Sequence, residues 1–162
     1  MQAWLLPWAR WLEHSAPATA LRTSTWAYPA TEIAHLVGLG LLVGTAFAFD
    51  MRLLGAARRL PLDAVAAFLL PWARTGFAVL ALSGLLLFAA NATTMITGLF
   101  ATKLTAIALG VVNASLFHRA VLPGVAAWNV DTAPPVPAKL AAVVSLASWT
   151  TALVCGRLLA YL

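Results

Sequence analysis

Four apolar runs, each long enough to cross a bilayer as a helix, leave few folds open to this chain. A spanning helix needs about 20 mainly apolar residues, and the stretches at about 31–49, 68–90, 98–122 and 139–161 meet that length. In hydrocarbon every backbone N–H and C=O must be satisfied by the chain itself, which restricts spanning structures to helices and closed barrels. Runs of this length read as helices. The expected fold is therefore all-α, an integral membrane four-helix bundle in a single domain over 1–162.

Composition points the same way. Of the 162 residues, 62% are hydrophobic and only 9% are charged, whereas soluble domains carry roughly 25% charged residues. The formal charge of +5 comes from ten Lys/Arg against five Asp/Glu. These cations stand singly, mostly at the ends of apolar runs, and form no patch, so the expected partner is the lipid bilayer and nucleic acid is not. The single cysteine, Cys155, excludes an internal disulfide and any multi-cysteine metal site.

Ahead of the first run, Trp4, Leu5, Trp8, Trp11 and Leu12 recur at helical spacing, with Arg10, Glu13 and His14 on the other side. This is the pattern of an amphipathic interfacial helix over 1–15, anchored by its tryptophans in the headgroup plane. No basic residue precedes its apolar part and Pro7 interrupts it early, so the segment reads as retained, not as a signal peptide. Linkers fall at 55–63, with Arg58 and Arg59, and at 128–137, with Pro134, Pro135 and Pro137. Pro71 falls in the first turn of the second run, where a missing backbone donor costs little. Gly40 and Gly44 on the first helix, and Ala141, Ser145, Ser148, Ala152 and Gly156 on the fourth, mark expected helix contacts, because close backbone approach drives association in lipid.

Orientation follows from the basic residues that flank the spans. Arg52, Arg58, Arg59, Arg74, Arg119 and Lys139 lie on one side, and Arg10, Arg22, Lys103 and Arg157 on the other. The positive-inside rule then puts both termini on the side away from the cytoplasm. On this map Glu32, His35, Lys103 and Arg157 form an outer polar cluster, and Asp50, Arg74, Asn113 and His118 an inner one.

Ionisable groups within a membrane are expensive and mark candidate functional sites. The bland account is that Lys103 and Arg157 snorkel to the interface and that Asp50 forms a fixed ion pair with Arg52 or Arg74. His35 resists that account, since its short side chain cannot snorkel far. Neutral imidazole is a common axial ligand of b-type haem, so His35 is a candidate axial ligand, with Lys103 or Arg157 placed for propionates. His118 lies roughly 24 Å away at helical rise, so a bis-histidine site would need His14 with His35. HExxH, paired cysteines, GxGxxG and a credible Ser-His-Asp set are absent. Asn91-Ala92-Thr93 fits a glycosylation sequon, a short match that arises often by chance.

The segments Trp26-Ala27-Tyr28-Pro29, Glu32-Ile33-Ala34-His35-Leu36 and Asp50-Met51-Arg52-Leu53-Leu54-Gly55, with Lys103, Asn113, Phe117-His118-Arg119 and Gly156-Arg157-Leu158, resemble a family of small bacterial inner-membrane proteins classed as a domain of unknown function. The resemblance covers nearly the whole chain, and the Asp-x-Arg-Leu-Leu-Gly segment is its most specific part. It implies the four-helix architecture and the inner-membrane location, transfers no mechanism, and does not include His14.

The expected function is a cofactor- or quinol-linked redox accessory with its site at the periplasmic end, lacking independent catalytic activity, with haem b as the candidate cofactor. Two rivals stand beside it. One is a structural or assembly subunit that docks on another membrane or periplasmic protein or on a second copy of itself. The other is a proton or small-ion transport element that uses Glu32, His35 and Lys103 at one end and Asp50 and His118 at the other.

Overall fold

The computed structural model describes residues 4–161, and these fold into helices joined by short turns and loops, without strands. In chain order the helices are α1 (Leu6–Glu13), α2 (Ala16–Thr23), α3 (Ala27–Leu53), α4 (Leu62–Ala90), α5 (Ala92–Met95), α6 (Gly98–Leu116) and α7 (Val136–Leu158). A π turn, Phe117–Val121, and a 3₁₀ segment, Leu122–Trp128, prolong α6. Four of the resulting rods, Ala27–Leu53, Leu62–Ala90, Gly98–Trp128 and Val136–Tyr161, are long and apolar enough to cross a membrane, and the chain is a multi-pass membrane protein.

Each rod outruns its expected span, because the apolar window marks the hydrocarbon and the helix continues into the headgroups. One consequence is that α4 starts at Leu62, which places Pro71 about two and a half turns inside it. There the Ala67 carbonyl loses its usual donor, and Thr75 donates its hydroxyl to the Pro71 carbonyl at 3.0 Å. The linker after α3 is correspondingly shorter than its composition suggests.

The four rods form two tightly paired hairpins, α3 with α4 and α6 with α7, joined mainly along α3 and α7. At the first pair the backbones touch. A Cβ on Gly38 would lie 2.7 Å from the Leu80 nitrogen and 3.0 Å from the Gly76 carbonyl oxygen, and one on Gly76 would lie 2.6 Å from the Leu42 nitrogen. Gly40 and Gly44, the expected contact, meet nothing within 4 Å. Four-residue spacing identifies a smooth face but not the partner, and the face used is the one that finds a glycine opposite. In the second pair Gly110 receives the edge of Trp149, 3.1 Å from where its Cβ would stand.

At the His35 end the interfacial helix becomes part of a docked helical hairpin. Glu13 accepts from the Thr93 backbone N–H at 2.8 Å and from its hydroxyl at 2.7 Å. Arg22 donates to the Ala90 carbonyl at 3.0 Å and to the Glu13 carbonyl. Burial pushes the Glu13 carboxyl up, but the two Thr93 hydrogen bonds and the charges of Arg22 and His14 outweigh it and hold the group below its ordinary value. Trp8 leans on Phe88, which stacks on Phe100 at 4.9 Å between centroids. Trp4 and Trp11 remain exposed, as headgroup anchors require.

At the Asp50 end two loops are laced together. Asn129 accepts from the Leu62 nitrogen through its carbonyl and from the Asp63 nitrogen through Oδ1, capping α4 from a distant loop. Beneath them lies a core of Phe49, Leu53, Leu62, Phe117 and Trp128, in which Phe49 and Phe117 meet edge to face at 5.7 Å.

Candidate functional site

The two expected polar clusters come out differently. In the outer one, His35 reaches across to α4, with Nδ1 at 3.0 Å from Ser83 Oγ. Ser83 sends its only proton to the Val79 carbonyl at 2.6 Å, so its oxygen is the acceptor and His35 Nδ1 the donor. Gly84 makes room for the ring, whose Cε1 stands 3.0 Å from where a Cβ would be. The Lys103 side chain lies along Gly156, with Nζ at 3.5 Å from the corresponding point, and its charge is within electrostatic reach of His35. The other two members stand apart. Arg157 donates to the Tyr161 hydroxyl at 2.7 Å and stacks over that ring at 4.9 Å, while Glu32 is exposed. His14 turns back on its own helix, Nδ1 at 2.7 Å from the Arg10 carbonyl, so the structure does not pair it with His35.

The inner cluster contains a cavity. A space of about 100 Å³ lies between the two hairpins, lined by Asp50 and Phe49 from α3, Leu70 from α4, Asn113 from α6, His118 from the π turn, and Ser145 and Trp149 from α7. Water needs roughly 10–15 Å³ measured this way, so the cavity has room for several waters or a small ring. Asp50 is only 4% exposed, yet its Oδ2 has no hydrogen-bond partner. His118 Nδ1 lies 2.7 Å from the Ala114 carbonyl, and its Nε2 is buried without a partner. Asn113 donates to the Ala141 carbonyl at 2.9 Å, tying α6 to α7 beside the cavity. The Ser145 hydroxyl faces the Asp50 carboxyl.

The expected ion pair of Asp50 with Arg52 or Arg74 does not form. Arg52, 3% exposed, spends Nε on the carbonyl of Leu60 (3.0 Å) and Nη2 on those of Arg58 (3.3 Å) and Asn129 (2.8 Å), and its Nη1 is buried without a partner. Helical geometry explains why: two residues on from Asp50, its side chain leaves on a different face. Arg74 is exposed and lies outside the cavity lining. Sequence reasoning missed Trp149 as a wall and Ser83 as the partner of His35, although Ser83 stands out as a polar residue in an apolar run. Ser145 was visible as a small residue, not as the hydroxyl opposite Asp50.

Buried polar atoms without a partner are exceptions that require a reason, and sites for ligands are a frequent one. The π turn at His118 belongs to the same picture, since such turns occur often at functional sites. Among the described residues no group of three or more His, Cys, Asp or Glu could hold a metal ion. Chemically, the cavity offers a carboxyl and an imidazole among largely apolar walls. Comparison with known proteins matches the chain, over residues 10–162, to a family of unknown function, DUF6644, and the chain belongs to that family. Neither the curated proteins nor the solved structures give a match.

Proposed function

We propose that this member of DUF6644 is a membrane-embedded binding protein for the ring head group of a quinol, acting as a redox accessory in a bacterial inner membrane with both termini periplasmic. One observation carries the reading: Asp50 Oδ2 and His118 Nε2, both buried and both without a protein partner, belong to residues that line a single cavity. Leaving such atoms unpaired costs free energy that a ligand or water recovers. Phe49, Phe117 and Trp149 supply aromatic walls and Leu70 an aliphatic one, the surroundings in which small-molecule sites hold rings while a few polar groups fix orientation. The site therefore moves from the His35 end, where the sequence directed attention, to the Asp50 end.

The transport and haem readings have less support. A transmembrane proton path would have to bridge the fifteen residues from His35 to Asp50, roughly 22 Å at helical rise, and the intervening stretch of α3 is almost wholly apolar. A bis-histidine haem site lacks its second imidazole, because His14 is engaged on α1 and His118 lies at the other end of the bundle.

Trp149 gives a direct test. Titrating a short-chain quinol into the protein in lipid nanodiscs should quench tryptophan fluorescence saturably, and Trp149→Phe should remove most of that saturable component. Quenching that is linear, or unchanged in the variant, would overturn the reading.

A further inference from the structure

We infer that the cavity selects its ligand as a hydrogen-bond donor, and so takes the reduced, dihydroxy form of the ring in preference to the oxidised dicarbonyl form. This inference rests on the binding reading above and adds a preference that the reading does not require.

The selectivity is set by a carbonyl. Ala114 O can only accept, so the 2.7 Å contact places the proton of a neutral His118 on Nδ1 and leaves Nε2 as a bare lone pair. Nε2 is the buried atom without a partner. The second such atom among the lining residues, Asp50 Oδ2, is an acceptor whenever the group is a carboxylate. The donors in the lining are partly engaged, one N–H of Asn113 on the Ala141 carbonyl at 2.9 Å and the Ser145 hydroxyl on the Asp50 carboxyl, and neither meets Nε2 or Oδ2. What is left without a partner among the lining residues is thus a pair of acceptors, and these call for donors. A dihydroxy ring brings two O–H groups, whereas the dicarbonyl ring brings two more acceptors, which face lone pairs with no proton between them. A site built to bond a hydroxyl rejects the analogue that lacks it more strongly than an apolar pocket rejects a change of size, because its own buried polar groups are left unpaired.

The test compares three ligands on the wild-type protein in nanodiscs: a short-chain quinol kept reduced, the matching quinone, and the dimethyl ether of the quinol, which keeps the ring and removes both donors. Displacement of a bound fluorescent quinol analogue supplies the readout. The quinol should bind at least about tenfold more tightly than either of the others, and His118→Phe should bring the three together while retaining residual binding. If quinol and quinone bind equally and Trp149→Phe still weakens both, donor selection is overturned and the binding site stands. If quinol and ether bind equally, the preference is not for donors and the inference also falls. If none of the three displaces the analogue, the binding reading itself fails.

Discussion

Arg52 Nη2 donates to the Asn129 carbonyl at 2.8 Å, linking the end of α3 to the loop before α7 across 77 positions of sequence. The same Asn129 caps α4, so one guanidinium and one amide hold together both connections at the Asp50 end. Arg52→Ala would strand buried carbonyls as well as remove a charged donor. Unfolding in mild detergent should register a loss of about 2–3 kcal/mol. Arg52→Lys should recover only part of it, since an ammonium cannot span the same carbonyls.

Asp50→Asn should raise stability. A carboxyl that is buried, unpaired by Arg52 or Arg74, and short of a partner at Oδ2 is a cost to the ligand-free fold. Neutralising it with an isosteric amide should recover about 1 kcal/mol or more while quinol binding falls. A lower melting temperature than wild type, with Asp63→Asn as the exposed control, would show that the Ser145 hydroxyl stabilises the carboxylate by more than the unpartnered Oδ2 costs.

Gly38→Ala and Gly40→Ala separate contact from composition. The first pushes a methyl into the α4 backbone at 2.7 Å and should cost roughly 1–3 kcal/mol. The second enters open space and should change stability by less than about 0.5 kcal/mol. Paired thermal melts decide this, and equal effects would mean that α3 and α4 do not cross at Gly38.

Acid should release the N-terminal hairpin. Glu13 has its carboxyl held below its ordinary value in the fold, so its contribution is fully present above the unfolded value, near 4.5, and is lost as pH falls through the lower folded value. Protease cleavage between α1 and α2 should therefore rise on acidification below that range and stay flat from neutral to mildly alkaline pH. Glu13→Gln should show the faster cleavage already at neutral pH.

Reporter fusions near Arg58 and near Asn129 should be active in the cytoplasm, and a fusion at the C-terminus in the periplasm, given the basic residues around the first and third connections. A cytoplasmic C-terminus would invert the orientation proposed for the cavity.

Much of the architecture was legible because hydrocarbon thickness imposes a length that a sequence cannot disguise, and all four rods contain the expected windows. What escaped depends on pairing. Nothing in the spacing of Gly38, Gly40 and Gly44 says which of them faces Gly76, and nothing in the sequence brings Ser145 and Trp149 to Asp50 until α3 is known to lie against α7. The short α2 was hidden by its polar residues and by Pro17, which sits at the start of a helix where it does little harm. His118 and Asp50 were identifiable as costly intramembrane groups. That the residues carrying these unpartnered atoms line one cavity was not, because burial without a partner is a property of three dimensions.

The cavity lies on the seam between the two hairpins, so neither half of the chain owns it. Asp50 and Leu70 come from the first half, Asn113, His118, Ser145 and Trp149 from the second, and the two are covalently joined through the α5 region at the opposite end. A molecule that occupies the seam binds only the assembled pair, and by mass action it strengthens the association of the halves. Divided at that far connection and expressed as two polypeptides, the protein becomes a fragment-complementation system in which reassembly itself reports occupancy.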